Sequence, residues 1–186
     1  MPKSLGEIHR YWSSNRNSPK SYLKGEARSK FLLGIIDTPK NSKILEIGCS
    51  VGRNLNYLFK NGFTNLVGVE INKKAVGIAK INPKLKIYNS SIEDIIKTFK
   101  GDEFDVVFTM AVLEHIHTIS GWIFPEIARI TKKLITIEDE KSSSWRHFPR
   151  NYKSVFEPKL KQIKEINLGN IEGLGEKFVA RIFIKI

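Results

Sequence analysis

Between residues 43 and 137 short apolar runs alternate with stretches of helical spacing, and this alternation constrains the fold more than any other feature. Residues 43–47 (KILEI), 66–70 (LVGVE), 85–88, 104–109 (FDVVFT) and 134–137 read as five strands. After the first, Leu55, Leu58 and Phe59 recur at helical spacing, with Gly62 placed as a C-cap. Asn72 is positioned to cap a helix carrying Ala75, Val76 and Ala79, which closes before Pro83. Ser90 and Glu93 stand at capping-box spacing ahead of Ile95, Ile96 and Phe99, and Pro125 opens a helix with Ile127 and Ile130. Parallel strands need crossings of this length, so the pattern predicts a Rossmann-like, doubly wound α/β sheet with helices on both faces.

The tail changes period. Phe178, Ala180, Ile182, Ile184 and Ile186 alternate with Val179, Arg181, Phe183 and Lys185. Residues 162–168 are the expected partner across a Gly-rich stretch (GNIEGLGEK), which adds an antiparallel pair to the sheet edge. The 186 residues suit one domain, organised as a helical cap (1–36) broken at Ser18-Pro19, a core (37–140), and a loop with the final hairpin (141–186). The longest uncharged apolar stretch, 106–113, is too short for a bilayer span, and the first residues lack the apolar run of a signal peptide. With Cys49 as the single cysteine, the expectation is a cytoplasmic protein without membrane association. The net charge of +12 is uneven. Residues 1–36 carry seven Lys/Arg against two acids, 141–186 carry ten against four, and the middle is nearly neutral. Basic ends suit either plain solubility or an anionic partner.

Open α/β sheets bind ligands beyond the carboxyl ends of their strands. There the sequence places Glu46-Ile47-Gly48-Cys49-Ser50-Val51-Gly52, then Glu70 and Ile71, then Ser91 and Ile92, and Met110 after the fourth strand. Small residues at 48, 50 and 52 permit close backbone approach, and a strand-end carboxylate such as Glu70 suits two ribose hydroxyls. The turn lacks the third glycine of a dinucleotide fingerprint and the Gly-Lys-Ser/Thr of a phosphate loop. Glu46, immediately before the turn, repels phosphate and suits a ligand bearing ammonium or sulfonium.

LEIGCSVGRN, GVEIN, SSIEDI and FDVVFTMAVLEHI resemble, in order and spacing, the successive motifs of small, single-domain class I S-adenosylmethionine-dependent methyltransferases of the type 11/12 kind. The resemblance covers residues 43–140 and implies a seven-stranded sheet with a reversed final hairpin. It also implies S-adenosylmethionine as donor and S-adenosylhomocysteine as product. Glu46, Gly48 and Gly52 would face the methionine part, Glu70 would hold the ribose, Ser91 and Ile92 would border the adenine and Met110 would lie beside the sulfonium, with Cys49, Ser50, Asn54 and Ile71 also among the cofactor-binding residues. Ser50 replaces the usual central glycine, and Ser91 stands where many members carry an aspartate.

For the acceptor, His115 and His147 are the candidate general bases, with packing beside the pocket the competing reading for His115. Arg146, His147 and Arg150 follow the fifth strand and suit a carboxylate or phosphate on the acceptor, with Trp145, Phe148 and Tyr152 as an aromatic wall. Tyr11 and Trp12 are candidate lid residues. No metal is expected, because Thr109 ends the fourth strand where metal-dependent catechol-type enzymes place an aspartate. The expected reaction is methyl transfer to oxygen or nitrogen of a small, anionic or sugar-like acceptor; tRNA or rRNA methylation is the alternative, and a non-catalytic cofactor-binding module a third.

Overall fold

The computed structural model describes residues 3–14 and 19–186. Its chain order is α1 (Leu5–Ser13), a 3-10 turn (Pro19–Leu23), α2 (Glu26–Ile35), β1 (Lys43–Ile47), α3 (Arg53–Lys60), β2 (Asn65–Glu70), α4 (Lys73–Ala79), β3 (Lys86–Asn89), α5 (Ile92–Ile95), β4 (Phe104–Met110), α6 (Ile123–Ile130), β5 (Thr131–Asp139), α7 (Tyr152–Phe156), β6 (Leu160–Asn167) and β7 (Phe178–Lys185). One seven-stranded sheet runs β3-β2-β1-β4-β5-β7-β6. The five strands β1 to β5 are mutually parallel, and β7 pairs antiparallel with both β5 and β6. The order reverses between β1 and β4, so the crevice of a doubly wound sheet lies at their carboxyl ends.

Alternate residues of each central strand feed two cores. Ile44, Val106, Phe108, Ile135 and Ile137 pack with Leu32, Leu55, Leu58, Val76 and Ala79 of α2, α3 and α4. Leu45, Ile47, Val107 and Leu134 pack on the other face with Ile92, Ile127, Tyr152 and Phe156 of α5, α6 and α7. Both faces being covered explains why the strands read as near-continuous apolar runs.

Several local expectations shift. The third strand lies one residue later than expected, and β5 is nine residues long, because its charged ends pair with β4 and β7 as readily as its apolar centre. Ser91, not Ser90, caps α5, its Oγ accepting from the Asp94 N–H. Pro125 is the third residue of α6, where its missing N–H is no loss to the first turn. The expected break at Ser18-Pro19 falls partly outside the described residues, since Ser18 is not among them.

Candidate active site

The turn after β1 bends only because three residues take left-handed backbone: Gly48 (φ 71°), Ser50 (φ 47°) and Gly52 (φ 72°). At Gly48 a side chain is also excluded by space, since a Cβ would lie 2.4 Å from a Val112 methyl. The Gly48 and Cys49 N–H groups both donate to the Val69 carbonyl (2.8 and 3.0 Å), closing the turn onto β2. Ser50 holds the conformation that glycine prefers, and its N–H donates to Glu70 Oε2 at 2.8 Å. Cys49 is buried against β2, and burial pushes its thiol up, so it is a packing residue in the turn.

Two carboxylates stand at the strand ends. Glu46 is buried; Asn54 Nδ2 donates to its Oε1 at 2.7 Å, and its Oε2 has no partner. Burial raises its pKa to about 8 against the opposing pull of Asn54 and Arg53. Glu70 accepts from the Ser50 N–H and, at 2.7 Å, from the Asn72 N–H; burial still raises its pKa. Asn54 is fixed in turn by Ser29 Oγ, which donates to its Oδ1 at 2.7 Å. Arg53 reaches the Tyr22 and Lys24 carbonyls (3.3 and 3.1 Å) and lies 3.6 Å from the Met110 sulfur. A chain of polar contacts thus runs from the segment before α2 to Glu46.

These groups line a cavity of about 230 Å³ whose walls include Glu46, Gly48, Cys49, Ser50, Asn54, Glu70, Ile71, Ser91, Ile92 and Met110. Its roof is α1, which contributes Leu5, Ile8, His9, Tyr11 and Trp12. The helix is anchored at both ends of the crevice. His9 Nε2 lies 3.1 Å from Glu93 Oε1, and Asn72 Nδ2 donates to the Trp12 and Ser14 carbonyls (3.2 and 3.0 Å). On the far side the Arg146 guanidinium donates to the Tyr11 hydroxyl and packs near the rings of Tyr11, Trp12 and Trp145. The Trp12 indole N–H is buried without a partner.

Beyond β4, the Glu138 carboxylate is fully buried and accepts from the Val112 and Leu113 N–H groups at 2.8 and 2.9 Å. Glu114 Oε2 accepts from the Asp139 N–H at 2.5 Å. Burial raises both acids, Glu114 to about 7, and the charge of Glu114 raises Glu138 further. The His115 ring lies 4.4 Å from Trp12 and 4.7 Å from His147, centroid to centroid. Its Nδ1 is 2.9 Å from the Arg146 carbonyl, an acceptor only, so Nδ1 carries the hydrogen and Nε2 the lone pair. Burial lowers the His115 pKa to about 4.

All eleven residues expected around the donor gather on this cavity except Gly52, which caps α3 just behind it. The acceptor group divides. Tyr11, Trp12 and His115 line the cavity, whereas Trp145, Arg146 and His147 stand outside it around the roof. Arg150 donates to the carbonyls of Leu113, Ile116 and Phe148, which braces the loop after β4 and leaves no guanidinium face toward the cavity. Tyr152 is wholly buried under α6, so the expected aromatic wall does not extend to it. Ser91 Oγ donates to Asp94, and Glu93 faces His9, so neither side chain is idle. The sequence reading missed Arg53, Arg28 and His9 as wall residues, and Asn72 as a roof anchor. Asn72 carried a signal in its position after Glu70 at a helix start, and His9 and Arg28 lie in the stretch expected to cap the core.

A family model described as a methyltransferase domain matches residues 45–134. The chain is 32% identical over 117 residues to a ubiquinone biosynthesis O-methyltransferase of Pelagibacter ubique, covering 60% of this chain and 47% of that protein. It is 26% identical over 134 residues to the enzyme of that name in Dechloromonas aromatica, covering 69% and 56%. The chain therefore spans about half the length of the curated relatives it matches. Among solved structures it is similar in fold, with a TM-score of 0.75 at 13% identity, to the 1,6-didemethyltoxoflavin-N1-methyltransferase of Burkholderia thailandensis, solved with S-adenosylhomocysteine, over 100% of this chain and 92% of that one.

Proposed function

We propose that this chain, which matches a methyltransferase-domain family model over residues 45–134, is a class I S-adenosylmethionine-dependent methyltransferase that transfers the methyl group of S-adenosylmethionine to an oxygen or nitrogen of a small acceptor. The observation that carries this reading is the pair of buried acids, Glu46 and Glu70, on one cavity, with a Glu46 oxygen left unpartnered. A buried carboxylate without a partner is costly unless a cation completes it. The donor brings two positive groups, an ammonium for Glu46 and a sulfonium near Met110. Glu70 receives the ribose hydroxyls through the lone pairs that Ser50 and Asn72 leave free. The sulfonium already activates the methyl carbon, so alignment supplies most of the catalysis.

The cavity is also lined by Ala111, Val112, Ile116, Trp12 and His115. That lining suits a flat, largely apolar acceptor carrying a hydroxyl or amine, with the free Trp12 N–H as a hydrogen-bond donor to it. Because the two arginines expected to grip an anion turn elsewhere, acceptor recognition rests on shape more than on charge.

Titration calorimetry tests the donor site. S-adenosylhomocysteine should bind with one site per chain, and Glu70→Gln should weaken it about 10- to 100-fold by removing a charged acceptor. Unchanged affinity in that variant overturns the assignment.

A further inference from the structure

Three donor atoms from Glu114, His115 and His147 converge beside the cavity, all within 4.8 Å of one another. We propose that these residues form a divalent transition-metal site just behind the part of the cavity wall that His115 lines, with an open coordination position for an oxygen of the acceptor. The donor set is one carboxylate and two imidazoles, which suits zinc or a neighbouring first-row ion better than magnesium or calcium. Three protein ligands with one position open is the arrangement of catalytic rather than structural zinc.

The surrounding contacts prepare the ligands. The Arg146 carbonyl holds His115 Nδ1, which leaves Nε2 as the ligand atom, 3.6 Å from Glu114 Oε1. Ser144 Oγ lies 2.6 Å from His147 Nδ1, which leaves the Nε2 of that ring as its free nitrogen. The Asp139 N–H occupies the other Glu114 oxygen, Oε2. Outer partners of this kind fix tautomer and ring orientation at metal sites. The Arg146 guanidinium, whose charge reaches both imidazoles, bonds the Tyr11 hydroxyl and packs over the Tyr11 and Trp145 rings. Behind Glu114 lies the fully buried Glu138, and among the described residues neither acid ion-pairs with a lysine or arginine. Metal–nitrogen distances of about 2.0–2.1 Å require the three groups to close up by roughly an ångström; His147, on the surface loop after β5, is the one free to move.

These ligands come from the loops after β4 and β5, not from the end of β4, where Thr109 gave the sequence reason to expect none. The role of the ion rests on the methyl-transfer reading, although its binding does not. A hydroxyl coordinated there loses its proton to water. The oxygen then bonds to the methyl carbon while the carbon–sulfur bond breaks, its electron pair staying on sulfur as S-adenosylhomocysteine leaves.

Cobalt(II) serves as probe, titrated into untagged protein while its visible ligand-field bands are followed. The expected result is one ion per chain with micromolar affinity, weakened at least tenfold by His147→Ala and by Glu114→Gln but unaltered by His9→Gln. Calorimetry with S-adenosylhomocysteine on each variant checks that the cavity remains folded. No spectral change up to millimolar cobalt, or equal binding by the two ligand variants and the parent protein, overturns the proposal. Cobalt bound at the cluster by protein that ignores S-adenosylhomocysteine supports the metal site and removes the donor reading instead.

Discussion

Glu46 shows how one residue sets function against stability. Its carboxyl, raised from 4.5 to about 8, keeps a proton in the fold that the unfolded chain has already released. Protein stability therefore declines as pH climbs from about 4.5 toward 8, by an amount on the order of 3 kcal/mol. Glu46→Gln keeps the Asn54 hydrogen bond and removes the titration. It should raise the melting temperature of the free protein by about 10 °C at pH 9 and change little at pH 5. The donor's ammonium needs the ionised form, so affinity for S-adenosylhomocysteine should fall up to tenfold per pH unit below 8, and calorimetry in two buffers at pH 7 should register about one proton released on binding. Glu46→Gln should abolish that release; its persistence would place the proton elsewhere. Glu46, Gly48 and Glu70 were legible in the sequence because their backbone positions follow from strand ends and turn chemistry. Arg53 and Arg150 were not: a long side chain can turn either into a cavity or onto carbonyls, and only the packed neighbours decide.

At the scale of elements, strand and helix order was readable from periodicity, since each core strand is apolar on both faces and each crossing keeps one apolar stripe. What remained illegible was where α1 lies. Its own sequence carries a capping box, Ser4 with Glu7, which defines a helix start but no docking site. The site is chosen by contacts more than 50 residues distant, above all the Asn72 amide on the Trp12 and Ser14 carbonyls. Because α1 lines the cavity as its roof, exchange of donor is expected to be coupled to movement of that helix. Asn72→Asp separates the two duties of this residue. Aspartate still caps α4 through Lys74 and Ala75, whose N–H groups the asparagine oxygen now accepts, but it cannot donate to α1. Stopped-flow release of S-adenosylhomocysteine should accelerate about fivefold, with the melting temperature almost unchanged. An unaltered off-rate would mean that α1 does not gate the cavity.

For the molecule as a whole, the sequence separated two basic ends that the fold brings together. The stretch between β6 and β7 packs on α2, with Leu168 and Leu174 in one core with Leu32 and Ile36, and Gly173 lies so close to Arg28 that a Cβ there would sit 3.1 Å from its guanidinium Nε. Arg28 and Lys30 of α2 and Lys161 and Lys164 of the β6 edge therefore belong to one body whose net charge is +12. Such a surface attracts any polyanion, but attraction is not access. The cavity lies under α1, whose Tyr11 is held by Arg146, so a nucleotide still attached to its chain would have to pass that helix. The two properties predict different salt behaviour. Retention on immobilised RNA should be weak and vanish by about 200 mM salt, as expected for phosphate contacts without base recognition. Incubation with methyl-labelled donor and fractionated cell extract should place the label in the small-molecule fraction at both 50 and 200 mM salt. Label appearing in RNA, and disappearing from it as salt rises, would make the basic surface part of substrate recognition and the closed roof a resting state.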